Sequence, residues 1–242
     1  MSISENILPK AYLNLHRWLV RRTNAYQRLF GKVAETAKQF NIPLEYPALL
    51  IPSSTGEPLI MLKEVQSNWY CVDINQDCLE ACQQILPQAQ TLRTNLNTDW
   101  PFTSEQFGLS VSIHALHYLA SPNTLVNQLR NTLVPGAISI WVVFQGELGK
   151  NKGIVSTLST IRKEKGIAEM LNFMPWKLAD SLMLALSGTQ HHFWSQDAFH
   201  QFLEQHGLNV ELLEAIFNNC SWLAVTSNPT FHHKLKNSHG NS

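Results

Sequence analysis

The sequence predicts an α/β fold: a doubly wound, mostly parallel seven-stranded sheet with an antiparallel C-terminal hairpin and a helical cap. Three observations point there. Short apolar runs alternate with amphipathic helical stretches through most of the 242 residues, the pattern of a parallel sheet covered on both faces. Two of these runs, FGLSVSI (107–113) and AISIWVVF (137–144), are apolar and small throughout, as strands buried on both faces are. The last two β-rich stretches, NVELLEAIF and CSWLAVTS, are joined by Asn218-Asn219. That link is too short for a parallel crossover, so an antiparallel pair follows.

The elements follow in order. Residues 9–40 place Leu15, Trp18, Leu19 and then Leu29, Val33, Ala37 at helical spacing, and Pro43 and Pro47 close that region. A strand is expected over 47–51. A short helix follows, with Pro58 in its first turn. NWYCVDI (68–74) reads as a strand ending in an acid, QDCLEACQQIL as a helix, and AQTLRTNL as a short strand. TDWPFTSEQ is a loop. A helix over 122–133 stops at Pro135-Gly136. Residues 151–186 are helical and apolar, and a helix runs from an N-cap Ser195 to Gly207. The domains expected are a helical cap (1–44), an α/β domain (45–227) with a helical lid inserted at 151–188, and a polar tail (228–242).

Composition narrows the function. The chain is 44% hydrophobic and only 15% charged, and its formal net charge is zero, which gives no reason to expect a nucleic acid or an anionic membrane as partner. Residues 1–40 carry seven Lys/Arg against Glu5 and Glu35, a solvated helix face or a basic lid over an anionic ligand. No apolar run approaches the ~18 residues of a membrane span, and no signal peptide is visible at the N-terminus. Cys71, Cys78, Cys82 and Cys220 lack a metal-site spacing and read as free core thiols of a cytoplasmic protein. No metal is expected.

The order of several stretches resembles the class I S-adenosylmethionine (SAM)-dependent methyltransferases. CVDINQDCLEAC resembles that family's second motif. TNLNTDWPFTSEQFGLSVSIHALHYL resembles its third and fourth, and LRNTLVPGAISIWVVF its helix, Pro-Gly and fifth strand. HHFWSQDAFHQFLEQHGLNV resembles the helix before its sixth strand. The resemblance covers residues 45–227 and implies SAM as cofactor. It places Asp73 at the ribose hydroxyls, with a helix cap as the alternative role, and Ile74 on the adenine face. It places Asn95 at the adenine amino group, or else in a local turn, with Leu96 beside it. His114 falls beside the transferred methyl, as a base or as a structural contact. His117 is expected to pack, and one of His191 and His192 is a candidate to face the substrate.

The family's first motif is altered in IPSSTGE. Leu50 stands where an acid belongs, and Pro52 and Ser54 where glycines belong. Ser53, Ser54, Thr55 and Gly56 remain to hold the methionine part of the cofactor, with binding weakened or lost. Met170, Met174, Trp176 and Met183 suggest an apolar pocket in the lid, or helices packed on the core. The activity implied is methyl transfer to a small, partly apolar molecule. The alternatives are a catalytically silent binding or partner protein, and a fold repurposed for another ligand. An oligomer or a protein partner is compatible with each.

Overall fold

The structure, a computed structural model, describes residues 24–54, 56–146, 192–217 and 219–229, with the isolated positions 155, 159, 162, 163 and 166. Most of the expected lid, with His191, Thr55, the polar tail from residue 230 and the first 23 residues, therefore lies outside the described residues. Within them, seven strands form one sheet: β1 (Ala48–Leu50), β2 (Trp69–Asp73), β3 (Gln90–Arg93), β4 (Phe107–Ile113), β5 (Leu133–Phe144), β6 (Asn209–Ile216) and β7 (Ser221–Ser227). The helices are α1 (Asn24–Ala37), α2 (Leu59–Leu62), α3 (Gln76–Ile85), α4 (Pro122–Thr132) and α5 (Gln196–Gln205). A 3₁₀ turn spans Leu116–Tyr118.

The strand order is β3-β2-β1-β4-β5-β7-β6. β1 pairs in parallel with both β2 and β4, and β3 and β5 extend the parallel set on either side. β7 runs antiparallel to β5, and β6 antiparallel to β7. The expected hairpin is thus present, as part of a doubly wound sheet. β5 is longer than its apolar run suggests. It starts at Leu133, opposite Phe107, and Pro135-Gly136 lies inside the strand rather than before it. The register shift between Phe107 and Leu109 accommodates that start.

Alternation along the strands sends successive side chains to opposite faces. Ala48 and Leu50 join Trp69 and Cys71 in a core cluster under α1, α2 and α3, where Leu29, Val33 and Ala37 line one stripe of α1. Leu49 and Ile51 face the other way, into a cluster with Leu125, Leu129, Phe199 and Leu203 of α4 and α5. Each core is thus drawn from both the sheet and the helices above it. Asn75 accepts from the Asp77 N–H at the start of α3, and Ser195 from the Ala198 N–H at the start of α5, so each helix has one of its otherwise unpaired first amides satisfied.

No helix lies between β3 and β4. The loop 94–106 covers the sheet there with aromatic rings instead: Phe102 meets Phe107 edge-on at 4.8 Å, and Trp100 meets Phe102 at 5.5 Å. At the start of β4, Gly108 lies against the Pro43 carbonyl so closely that a Cβ would collide with it. That contact sets how near the chain entering β1 can lie to β4. No helix of the described residues is long and apolar enough to cross a membrane.

Candidate functional site

The chain leaves β1 for β2 on one side and reaches β4 on the other, so the sheet's topological switch point lies at the carboxyl ends of β1 and β4. In open α/β sheets that is where ligands bind. Five connections meet around it: Ile51–Gly56 after β1, Asp73-Ile74 after β2, Asn95-Leu96 after β3, His114 after β4 and Phe144-Gln145 after β5.

The first loop hugs the sheet. The Ser53 N–H donates to the Val72 carbonyl at 2.7 Å and the Gly56 N–H to the Ser53 carbonyl at 3.1 Å. Ser54 has φ +48° and Gly56 φ +77°. A Cβ on Gly56 would stand 3.0 Å from Cys82 Cα and Sγ and 3.1 Å from Cys82 N. Gly56 is therefore required both by its dihedral and by its contact with α3. Leu50, where the resemblance puts an acid, is 1% exposed and faces the first core cluster.

Asp73 is the centre of the site's electrostatics. Its Oδ2 accepts the Ser54 N–H at 2.9 Å and its Oδ1 the Asn75 N–H at 3.0 Å. The residue is 7% exposed. Burial pushes its pKa up to about 6, against the opposing pull of hydrogen bonds from the Asn75, Ser54 and Ile74 backbone and the Cys78 side chain. One carboxylate thus ties the loop after β1 to the start of α3. A carboxylate offers about four lone-pair sites, so a ribose there would have to share them with these donors. Beside it Ile74 is half-exposed, and its carbonyl accepts from Arg93 Nε at 3.0 Å.

Beneath the loop, Cys71, Cys78 and Cys82 are buried, as is Cys220 elsewhere, and all four are free thiols. A hydrogen bond from the Cys71 thiol holds Cys82 below the ordinary thiol range, and the same contact pushes Cys71 up. Among the described residues no group of three or more His, Cys, Asp or Glu side chains could hold a metal ion.

Asn95 makes a local turn. Its side-chain oxygen accepts the Asn97 N–H at 3.1 Å and its carbonyl accepts the Thr98 and Asp99 N–H groups. Leu96 is half-buried against the second core cluster. Asn97 then accepts the Ala120 N–H, joining the loops after β3 and β4.

His114 stands at φ +51° with its N–H on the Val142 carbonyl at 2.7 Å. Its ring lies flat on Phe144, with centroids 4.0 Å apart and planes 7° apart. Its Nε2 is 2.9 Å from Ser221 Oγ. His117 is fully buried and packs edge-on to Phe144 at 5.0 Å, as expected of a packing residue. The His192 N–H donates to the His117 carbonyl at 3.3 Å. Ser221 carries no local signal in the sequence; only the β5–β7 register, which pairs it with Phe144, brings it here. Of the basic N-terminal residues, Lys32 pairs with Glu214 of β6 at 2.9 Å, away from these loops.

Comparison with known proteins agrees with this geometry. Residues 50–141 match the family model described as "Methyltransferase domain". No curated protein matches the chain in sequence. Among solved structures, the N-methyltransferase NodS of Bradyrhizobium japonicum in complex with S-adenosyl-L-homocysteine is similar at 13% identity and TM-score 0.60, over 92% of this chain and 100% of that one. A SAM-dependent methyltransferase of Aquifex aeolicus is similar at 13% identity and TM-score 0.52, over 86% and 90%. A chain from the complex between the Haloferax volcanii Trm112 methyltransferase activator and a protein named as a methyltransferase is similar at 14% identity and TM-score 0.63, over 90% and 97%. At these identities the likeness is one of fold.

Proposed function

We propose that this chain, whose residues 50–141 match a methyltransferase domain model and whose fold is similar to that of SAM-dependent methyltransferases, transfers a methyl group from SAM to a small, partly apolar molecule. The observation that carries the reading is Asp73. A carboxylate at the carboxyl end of β2, hydrogen-bonded to the loop after β1 and followed by the half-exposed Ile74, is an acceptor beside an apolar face at the switch point. Those are the parts that a ribose and an adenine need.

The residues fit the cofactor in the following roles. Asp73 accepts from the ribose hydroxyls, sharing its oxygens with the donors it already holds. Ile74 packs on the adenine. Asn95, whose side chain serves its own turn, leaves the Leu96 backbone as the group for the adenine edge. Ser53, Ser54, Thr55 and Gly56 line the methionine part, and His114 borders the acceptor. When bound, SAM supplies a methyl group on a positively charged sulfur, which makes that carbon electrophilic. Transfer then depends on positioning, which these rigid strand ends supply.

One observation favours a second reading, a silent methyltransferase-like binding protein. Asp73 already serves two backbone N–H groups and is nearly buried, so SAM must share an acceptor that the apo loop uses. An altered first motif is part of that reading. The proposed setting is cytoplasmic, and a protein partner is compatible with both readings.

Titration calorimetry with SAM and with S-adenosylhomocysteine separates them. Measurable affinity in the wild type, weakened by about 2–3 kcal/mol in Asp73→Ala as a polar ribose loses its acceptor, supports the enzyme. Affinity that Asp73→Ala leaves unchanged removes Asp73 from the cofactor site. No affinity in the wild type favours the silent protein.

A further inference from the structure

Under the loop after β1 lies a pair of thiols from two different elements. Cys71 stands in β2, opposite Leu50 of β1, and Cys82 stands in α3. Both are completely buried in the same core cluster, and their side chains are hydrogen-bonded to each other. The Cys82 Sγ and Cα also lie 3.0 Å from the place that a Gly56 Cβ would occupy. On its other side the loop is held by β2, where the Val72 carbonyl accepts the Ser53 N–H at 2.7 Å and Asp73 accepts the Ser54 N–H at 2.9 Å. The loop is thus clamped between β2 and α3, and the two thiols span those same elements beneath it. Small apolar residues would fill that space equally well. A sulfur-to-sulfur contact adds chemistry that packing alone does not need.

We propose that Cys71 and Cys82 are a dithiol switch: a peroxide joins them in a disulfide between β2 and α3, and that bond loosens the loop after β1. The Cys82 thiolate attacks one oxygen of hydrogen peroxide, the O–O bond breaks and hydroxide leaves, so Cys82 becomes a sulfenic acid. The Cys71 sulfur then attacks the Cys82 sulfur, the S–O bond breaks, and the oxygen leaves as water with the Cys71 proton. The thiol pair loses two electrons in all, and the peroxide is reduced to water. Cys82 is the attacking sulfur because the Cys71 hydrogen bond holds it below the ordinary thiol range. Peroxide is close to water in size and enters by local opening of the loop. Bonding brings the sulfurs to about 2 Å. The Cys82 sulfur then turns toward β2 and away from Gly56, and the loop loses part of its support.

The test uses the full chain, hydrogen peroxide as oxidant and no SAM. Native protein is treated, unfolded without reductant, alkylated and mapped by mass spectrometry. The expected product is lighter than the starting chain by two hydrogens, yields a Cys71–Cys82 linked peptide pair and reverts with dithiothreitol. Hydrogen exchange of the reduced and bridged samples reads the loop: amides of residues 53–56 exchange about tenfold faster in the bridged form, while those of β4 and β5 are unchanged. Cys71→Ala, which a buried thiol site tolerates as a small apolar position, removes both the bridge and the exchange difference. Four alkylatable thiols after treatment, an over-oxidised Cys82 without a bridge, or a bridge to Cys78 or Cys220 overturns the proposal. A bridge that leaves the loop's exchange unchanged overturns it too. SAM titration of the reduced chain tests the methyltransferase reading separately: a bridge in a chain that ignores SAM leaves the switch standing, and SAM affinity in a chain that forms no bridge leaves that reading intact.

Discussion

Replacing Asp73 with Asn tests whether one buried carboxylate governs the site. In the native chain its pKa rises from an ordinary 3.8 to about 6, chiefly because burial disfavours the charged form. A raised acid binds more protons folded than unfolded between those values. Stability is then greatest below pH 3.8 and is lost as pH rises through about 6. At about 1.4 kcal/mol per pH unit, the difference amounts to about 3 kcal/mol. Asp73→Asn cannot ionise, so its stability lacks this term, and every group common to both proteins cancels in the comparison. Urea unfolding of wild type and variant, followed by tryptophan fluorescence across the window from about pH 4 to pH 7, should show the wild type losing about 2.4 kcal/mol of that difference relative to the variant. Parallel curves would falsify the argument that Asp73 is ionised against a burial cost. Ribose hydroxyls donating to the ionised form act in the opposite sense, so proposed SAM affinity should fall as pH drops below about 6.

Two further predictions concern the loop. Gly56→Ala puts a Cβ 3.0 Å from the backbone of Cys82 at φ +77°; strain and overpacking together should cost about 2–4 kcal/mol, seen as a melting temperature lower by several degrees, and an unchanged melt would show that α3 gives way freely. Ser54→Gly removes a left-handed serine worth about 1–2 kcal/mol of strain and adds up to about 1 kcal/mol of unfolded-state entropy. Its melting temperature should therefore stay within a few degrees of wild type, and a large fall would mean that the serine side chain itself holds the loop.

The strands were legible because burial on both faces favours apolar and small residues. β4 and the run 137–144 of β5 hold only such residues and lie in the middle of the sheet, with the small buried Ser110 and Ser139 hydrogen-bonded to each other. The hairpin was legible from the length of its link. Asp73 could be placed because an acid ending an apolar strand is a local signal. What it bonds could not be read, since Ser54 is 19 residues away and no pattern in the sequence marks its φ. Asn95 shows the opposite limit: its local turn was one of two readings, and a carbonyl accepting two N–H groups supports that one. Ser221 was invisible. A serine in a strand of small and apolar residues looks like any other, and its place beside His114, 107 residues earlier, follows only from the β5–β7 register.

The loop after β1 and the acid after β2 act as one unit. A serine at φ +48° costs about 1–2 kcal/mol relative to an ordinary backbone. Its N–H, turned by that conformation onto Asp73 Oδ2 at 2.9 Å, returns about 1.5–3 kcal/mol for a hydrogen bond to a charged acceptor. The two terms are of similar size, so a loop with serine where glycine would sit without strain holds its shape through the carboxylate. That dependence runs both ways, because the Ser54 N–H is among the contacts that keep Asp73 ionised in a site only 7% exposed. A ligand that competes for Asp73 must therefore either share the carboxylate or release the loop. Affinity for such a ligand is set by the loop's order as much as by the ligand's own contacts.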